Sequence, residues 1–324
     1  MFSTISSKII LQNNSYLSFP DIIQNPYKPR QYFIIFREGN SHHPTWSNLI
    51  LMCSEDSGKK WNIIKKFPMD LETNGYVWNC PRFYYNTIEQ SLNIICDIKN
   101  TTTEATAHFK ILNLKSYNEG RSFTRTLTEM PGMVPDKVLA FKGRLYCANH
   151  KIKPDGHKLA QLVSWSRDNG RTWFDTNLVA NDNTIRFCEA SLVNIKDQYL
   201  IAYLRDNSDH VRPLFKTTSE DGVNWSLPEP MKIMGQRATT LLLNENNILV
   251  SYRNTKDVAV SICIDNIKNN TLENFNIDYD VIDNLYHFGY TGMCQIDNNH
   301  FYIVYYIRND ENFPFIKLAK IKID

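Results

Sequence analysis

The sequence predicts an all-β protein, a six-bladed β-propeller of four-stranded antiparallel blades spanning residues 1–324 as a single domain. Three observations carry that expectation: similar eight-residue turns recur along the chain, they are evenly spaced, and short apolar runs suited to strands fill the intervals. The clearest turn is Ser166-Arg-Asp-Asn-Gly-Arg-Thr-Trp173, which follows the run Gln161–Trp165. Its Asp168 can accept from nearby backbone N–H groups, Gly170 supplies a positive φ, and Trp173 returns the chain to the core. Ser54–Trp61 repeats the template, Thr218–Trp225 repeats it with the acid displaced by one place, and Ser116–Phe123 is a worn copy with Asn118 for Asp and Phe123 for Trp. The closing aromatics stand at 61, 123, 173 and 225, and Phe275 follows at the same interval in a segment that has lost the rest of the pattern. A period of roughly 50 residues with four strands per unit is that of a propeller blade, and the length of 324 accommodates six.

Tyr16–Pro20 and Gln31–Phe36 read as the first strand pair, and the second runs into Arg37-Glu-Gly-Asn-Ser-His-His43. Tyr76–Pro81 with Ser91–Asp97, then Pro135–Phe141 with Gly143–His150, continue the series. Glu189 begins one strand and Arg205 ends its antiparallel neighbour, so a hairpin brings both to one end of a blade. Thr239–Asn244 and Ile248–Arg253 repeat the arrangement. Three strands thus finish in arginine, at Arg37, Arg205 and Arg253, and equivalent strand ends of a closed propeller share one funnel. Isolated, each arginine reads as well as a solvated strand end. Tyr290 lies between Gly289 and Gly292, which leave it uncrowded, although strands here are rich in core tyrosines.

The turns resemble the Asp-box of the sialidase superfamily, a family of six-bladed propellers in which the box is structural; Asp56, Asp168 and Asp221 are accordingly assigned to the scaffold. The order Arg, box, Glu, Arg, Arg, Gly-Tyr is similar to that family's over nearly the whole chain. The resemblance implies that Arg37, Arg205 and Arg253 hold a substrate carboxylate, which guanidinium groups grip in a bidentate fashion. It implies Tyr290 as nucleophile and Glu189 as its base, the family's exception to the two-carboxylate rule for glycosidases. Residues 38–53 contain no Asp where these enzymes carry an acid/base, so His42 or His43 is expected to supply that function. The form Arg37-Glu-Gly-x-x-His42 also resembles a bacterial branch of the superfamily. Glu38, His150, Arg237 and His287 are further candidates for the pocket lining.

The implied activity is exo-acting hydrolysis of a terminal α-ketosidic acidic sugar, sialic acid or a related 2-keto-3-deoxy acid. The alternatives are a hydrolase specific for 3-deoxy-manno-octulosonic acid or a bacterial nonulosonate, and an inactive propeller that binds acidic carbohydrate. The partner expected is a glycan ending in an acidic sugar. A formal charge of +2 gives no reason to expect nucleic acid. No apolar run approaches membrane-spanning length, so no membrane insertion is expected. No metal or organic cofactor is expected, for the histidines lack ligand spacing and no phosphate-binding glycine loop is present. The seven cysteines are scattered and read as buried thiols, and the N-terminal residues lack a secretory pattern, so cytoplasmic residence is expected.

Overall fold

The structure, a computed structural model, describes residues 1–100, 108–153, 159–209, 211–280, 288–308 and 313–324. β1 (Phe2–Leu11) belongs to the sheet built by the C-terminal strands. The sheet that follows orders β2 (Tyr16–Asn25), β3 (Lys28–Gly39), β4 (Trp46–Ser54) and β5 (Asn62–Asp70). A four-residue helix, α1 (Leu71–Asn74), leads to β6 (Val77–Asn86), β7 (Ser91–Lys99), β8 (Phe109–Ser116) and β9 (Thr124–Leu127). The next sheet holds β10 (Leu139–Phe141), β11 (Arg144–Ile152), β12 (Leu159–Ser166) and β13 (Phe174–Ala180).

A seven-stranded sheet then runs through β14 (Phe187–Ile195), β15 (Tyr199–Asp206), β16 (Pro213–Ser219), β17 (Glu229–Leu242), β18 (Asn247–Asn254), β19 (Ala259–Asn266) and β20 (Thr271–Tyr279). The last sheet pairs β21 (Thr291–Gln295), β22 (His300–Ile307) and β23 (Phe315–Ile323) with β1, which joins the two ends of the chain. Every pairing is antiparallel and between strands adjacent in sequence, apart from the closing β1–β23 pair. Separate four-stranded sheets were expected throughout; the exception arises because β17 is unbroken over 14 residues. Its first part pairs with β16 and its second with β18.

Neighbouring sheets bury apolar faces against each other. Phe33, Ile35, Leu49 and Leu51 of the first sheet pack on Trp78, Phe83, Ile94 and Cys96 of the next. β2 contacts both β6 and β21, so the last sheet meets the first and the sheets surround a common centre. Arg82 of β6 crosses that centre: its guanidinium donates to the carbonyls of Pro20 and Thr291, each at 3.1 Å. Asp136 stands 3.6 Å from Arg82 and 3.5 Å from Arg237, and Lys137 pairs with Asp21 at 3.0 Å. Removing one member of such a buried ion cluster typically costs about 3–5 kcal/mol.

The recurring turns are the outer clasp. In Ser166–Trp173, the Ser166 hydroxyl accepts from Gly170 N–H at 2.8 Å, Asp168 accepts from Thr172 N–H at 2.9 Å, and the Trp173 indole donates to the Gly170 carbonyl at 3.1 Å. Ser54–Trp61 reproduces all three bonds, and Asn118 stands in for the acid at Ser122 N–H. The fourth copy is re-registered: Ser219 rather than Thr218 takes the serine role, bonding Asp221 and Gly222 N–H, and one left-handed residue has been lost before the glycine. The contraction leaves the Trp225 indole N–H without the carbonyl its counterparts use. Each turn leans on the sheet before it: Gly58 on Tyr302, Gly120 on Leu51, Gly170 on Tyr84 and Gly222 on Tyr146. All seven cysteines are buried and none is in a disulfide, as expected.

Gly222 has φ +73, and a Cβ there would lie 2.5 Å from the Tyr146 ring, whereas Gly143, at φ +75, has open space. Gly222→Ala should therefore lower the unfolding free energy by about 3 kcal/mol and Gly143→Ala by only about 1 kcal/mol, since the first adds a collision to the backbone strain both share. Urea unfolding of the two variants measures the difference. Equal losses would show that the turns do not clasp their neighbours.

Candidate active site

One irregularity of register builds the site. β2 pairs Ser18 with Arg37 and then Asp21 with Ile35, so three steps on the inner strand face two on its neighbour. The same break lies between Trp78–Ile98 and Pro81–Cys96, between Cys188–Arg205 and Ser191–Tyr203, and between Gln236–Arg253 and Thr239–Ser251. Ahead of β10 it runs from the Met133–His150 bridge to the Asp136–Ala148 hydrogen bond. At β21 it runs from the Gly289–Tyr306 hydrogen bond to the Gly292–Val304 pair. The first residues of these bulges are Phe19, Asn79, Val134, Glu189, Arg237 and Tyr290. Phe19, Val134, Glu189 and Arg237 take left-handed φ values of 55°, 49°, 49° and 49°, unusual for residues with a side chain. A bulge re-aims a side chain, and all of the six except Arg237 line one cavity of about 760 Å³.

Tyr290, Glu189 and Arg205 form a single hydrogen-bonded unit in that cavity. Tyr290 Oη lies 2.9 Å from both Glu189 oxygens and 2.6 Å from Arg205 Nη1. Arg205 Nη1 also donates to Glu189 Oε2 at 2.6 Å, and Nη2 donates to Asn207 at 2.5 Å. Arg253 sits over the Tyr290 ring, 4.4 Å from its centroid, anchored by the Phe288 carbonyl at 2.7 Å and Gln236 at 2.9 Å. Burial raises the Tyr290 phenol well above its ordinary range, and Glu189 pushes the same way against the lowering by Arg205. Burial alone would raise Glu189 too, but Arg205 and then Arg237 outweigh it and hold the carboxyl at about 2. The resting unit is a neutral phenol donating to a carboxylate.

The sequence candidates divide. Arg205 and Arg253 reach the cavity, as expected. Arg37 occupies the equivalent register position yet does not present itself there. Its nitrogens bond Ser18 at 3.2 Å, Asn79 at 3.3 Å and the His42 carbonyl at 3.0 Å, and the Phe19 ring covers it at 4.6 Å. The expected trio is thus a pair in this structure, because the first bulge turns a phenyl ring over the third guanidinium. Asp97 braces that arrangement, accepting from Asn79 at 2.9 Å and Cys80 N–H at 3.1 Å. His42 and His43 both line the cavity; His42 Nδ1 is 3.2 Å from Tyr16 Oη and His43 Nδ1 is 3.3 Å from Lys99 Nζ.

His150 lines the cavity as well, with Nδ1 3.4 Å from Glu189 N–H; burial, with Arg237 and Arg205, lowers it to about 4 despite Glu189. With Nδ1 accepting from that N–H, a neutral ring would carry its proton on Nε2. Two candidates are displaced. Glu38 points to the opposite face of β3 from Arg37, where Asn13 and Asn48 donate to it at 2.8 and 2.9 Å. Arg237 is wholly buried behind the cavity, 5.9 Å from the Tyr290 centroid. His287 lies outside the described residues. Sequence reasoning passed over Phe19, Asn79 and the rim residues Arg186, Asn207, Ser208 and Asp209. Among the described residues, no group of three His, Cys, Asp or Glu side chains is placed to hold a metal ion.

Arg237 should act on Glu189 through charge alone. Arg237→Met is expected to move the Glu189 carboxyl up toward its ordinary 4.5, and Arg237→Lys to leave it low. The wild-type contribution of this carboxylate to stability is full above about 4.5 and is lost as pH falls toward 2. Titration of ¹³C-labelled glutamate by NMR, with Glu189→Gln to assign the signal, reads the shift. An unmoved signal in Arg237→Met would exclude the coupling.

A model of the BNR repeat-like domain matches residues 84–270. No curated protein matches the chain. Among solved structures, a protein of unknown function from Dyadobacter fermentans superposes with a TM-score of 0.82 at 20% identity, covering 100% of this chain and 99% of that one. The intramolecular trans-sialidase of Ruminococcus gnavus gives 0.71 at 11% identity, with 95% of each chain covered. The NanB sialidase of Streptococcus pneumoniae gives 0.69 at 12% identity, covering 98% of this chain and 70% of that one.

Proposed function

The chain belongs to the BNR repeat-like domain family, and from that premise we propose that it is a glycoside hydrolase of the sialidase type, exo-acting on a terminal α-ketosidic acidic sugar. The ring is read as a single domain of six blades, two of which share β17. The observation that carries the proposal is the contact of Tyr290 Oη with both Glu189 oxygens and Arg205 in the cavity wall.

The chemistry follows from the charges. The anomeric carbon of a 2-keto acid sugar adjoins a carboxylate, and Arg205 and Arg253 are the cavity's guanidinium groups for it. A neutral phenol meets that anion with less repulsion than a second carboxylate would. Because Tyr290 is held high and Glu189 low, the proton transfers only as the new C–O bond forms, with Arg205 and Arg253 stabilising the phenolate character that develops. The leaving oxygen takes a proton from His42 or His43. Water then attacks the anomeric carbon and gives a proton to the histidine, while Glu189 returns its proton to the departing Tyr290 oxygen, so the sugar departs with retained configuration.

A binding-only propeller is the second reading, favoured by the screening of Arg37 behind Phe19. Hydrolysis of a fluorogenic sialoside, run beside its 3-deoxy-manno-octulosonate counterpart, separates the two. Tyr290→Phe is expected to lower kcat/KM by about 10³-fold or more on the substrate accepted. A 2,3-difluoro analogue should leave a glycosyl adduct on the Tyr290 peptide in mass spectrometry. No turnover of either substrate, together with tight binding of the free sugar acid, would select the binding module.

Replacing both His42 and His43 by Ala should slow substrates with a poor leaving group by about 10²-fold while sparing an aryl glycoside, as loss of a general acid does. Equal rates on both substrates, relative to wild type, would remove the histidines from the mechanism.

A further inference from the structure

We infer that Arg186 forms a subsite for a leaving group that itself carries an anionic oxygen group, so that the substrate class is a glycan with negative charge on both sides of the scissile bond. The inference rests on the hydrolase reading. Arg186 lines the cavity, and none of the hydrogen bonds or ion pairs among the described residues engages its guanidinium. Its Nε is buried without an acceptor, and the half-buried side chain forms part of the cavity lining. The backbone beneath it is fixed: Arg186 N–H donates to the Ser208 hydroxyl and its carbonyl accepts from Asn207 N–H, each at 3.0 Å.

Position gives the rest. Arg186 precedes Glu189 by three residues, on the order of 10 Å along an extended chain, and it stands with the exposed Ser208 and Asp209 at the mouth. A leaving group departs from the side of the sugar opposite Tyr290, and the subsite requires that this be the side on which Arg186 stands. The guanidinium groups beside Tyr290, Arg205 and Arg253, are engaged by the first carboxylate. The cavity of about 760 Å³ is larger than one sugar ring requires, and it continues to the rim where Arg186 stands. A guanidinium without an acceptor suits a second carboxylate, or a phosphate or sulfate ester, on the next unit.

The test compares wild type, Arg186→Ala and Arg186→Lys on an uncharged aryl glycoside, on a disaccharide with a neutral leaving sugar, and on disaccharides whose leaving sugar carries a carboxylate, a phosphate or a sulfate. Arg186→Ala is expected to lose about tenfold in kcat/KM on the anionic leaving groups alone, and Arg186→Lys to recover part of it. The group most affected identifies the source of the charge. Raising the ionic strength should shrink the wild-type preference, as screening of a partly exposed pair requires. A uniform loss across all substrates, or none, overturns the inference. If wild type turns over nothing, the hydrolase reading fails separately. Calorimetry then decides on the subsite: equal affinity of wild type and Arg186→Ala for the acidic disaccharide overturns it, and a tenfold difference supports it.

Discussion

The site depends on a repeated mismatch of strand length, three residue steps facing two, in the innermost strand of each repeat. A regular antiparallel strand would send alternate residues into the two inter-sheet cores and none toward the centre. The bulge turns one residue out of that alternation, at a cost of about 1–3 kcal/mol for a strained left-handed backbone. Packing on both faces supplies the compensation, since the inner strands are buried along almost their whole length. Glu189 and Tyr290 are therefore 101 positions apart in sequence and in hydrogen-bond contact in space because they occupy the same place in two repeats.

Arg237 is the bulge residue of the repeat that lies between those two in chain order. Its neighbours along the ring are the carboxylate and the phenol, and its ion partner is Asp136. A fixed charge there costs nothing to reorganise during a reaction, which is how preorganised electrostatics act. Arg205 stands nearer, since it touches both the carboxylate and the phenol, while Arg253 covers the face of the ring. The arrangement keeps the proton on tyrosine at rest, and in the proposed hydrolysis it would make the departure of that proton less costly as the oxygen bonds to carbon.

Much of this was legible in the sequence, and the limits are physical. The turn octets announce themselves because each sets a serine and an acid, or its amide in Asn118, shortly before a glycine. Strand ends in Arg205 and Arg253 were readable because their hairpins are short and regular. The bulges were not, as no residue type is specific to them: Phe19, Val134, Glu189 and Arg237 share a backbone conformation without sharing chemistry. A spacing could have exposed them, for Val134, Glu189, Arg237 and Tyr290 each stand 16 positions before His150, Arg205, Arg253 and Tyr306. Glu38 was misplaced because period-2 alternation puts it on the opposite face from Arg37. The continuity of β17 was hidden by Pro230 and Gly235, which suggest breaks that the strand absorbs at its register shift.

Arg37 shows why equivalent position does not ensure equivalent use. It stands where Arg205 and Arg253 stand, but its repeat presents Phe19 at the bulge, and an aromatic ring over a guanidinium is itself a favourable contact. With Ser18, Asn79 and the His42 carbonyl accepting its hydrogen bonds, the charge is satisfied by the protein. The bond to His42 gives this a functional sense, because it fixes the loop that carries His42 and His43 over the cavity. One arginine holds the histidine loop and two line the cavity, so the three equivalent positions are put to different uses. The loop without an aspartate and the covered arginine then become one structural feature: the first sheet contributes the imidazole groups expected of it, and an aromatic ring where a bare guanidinium was expected.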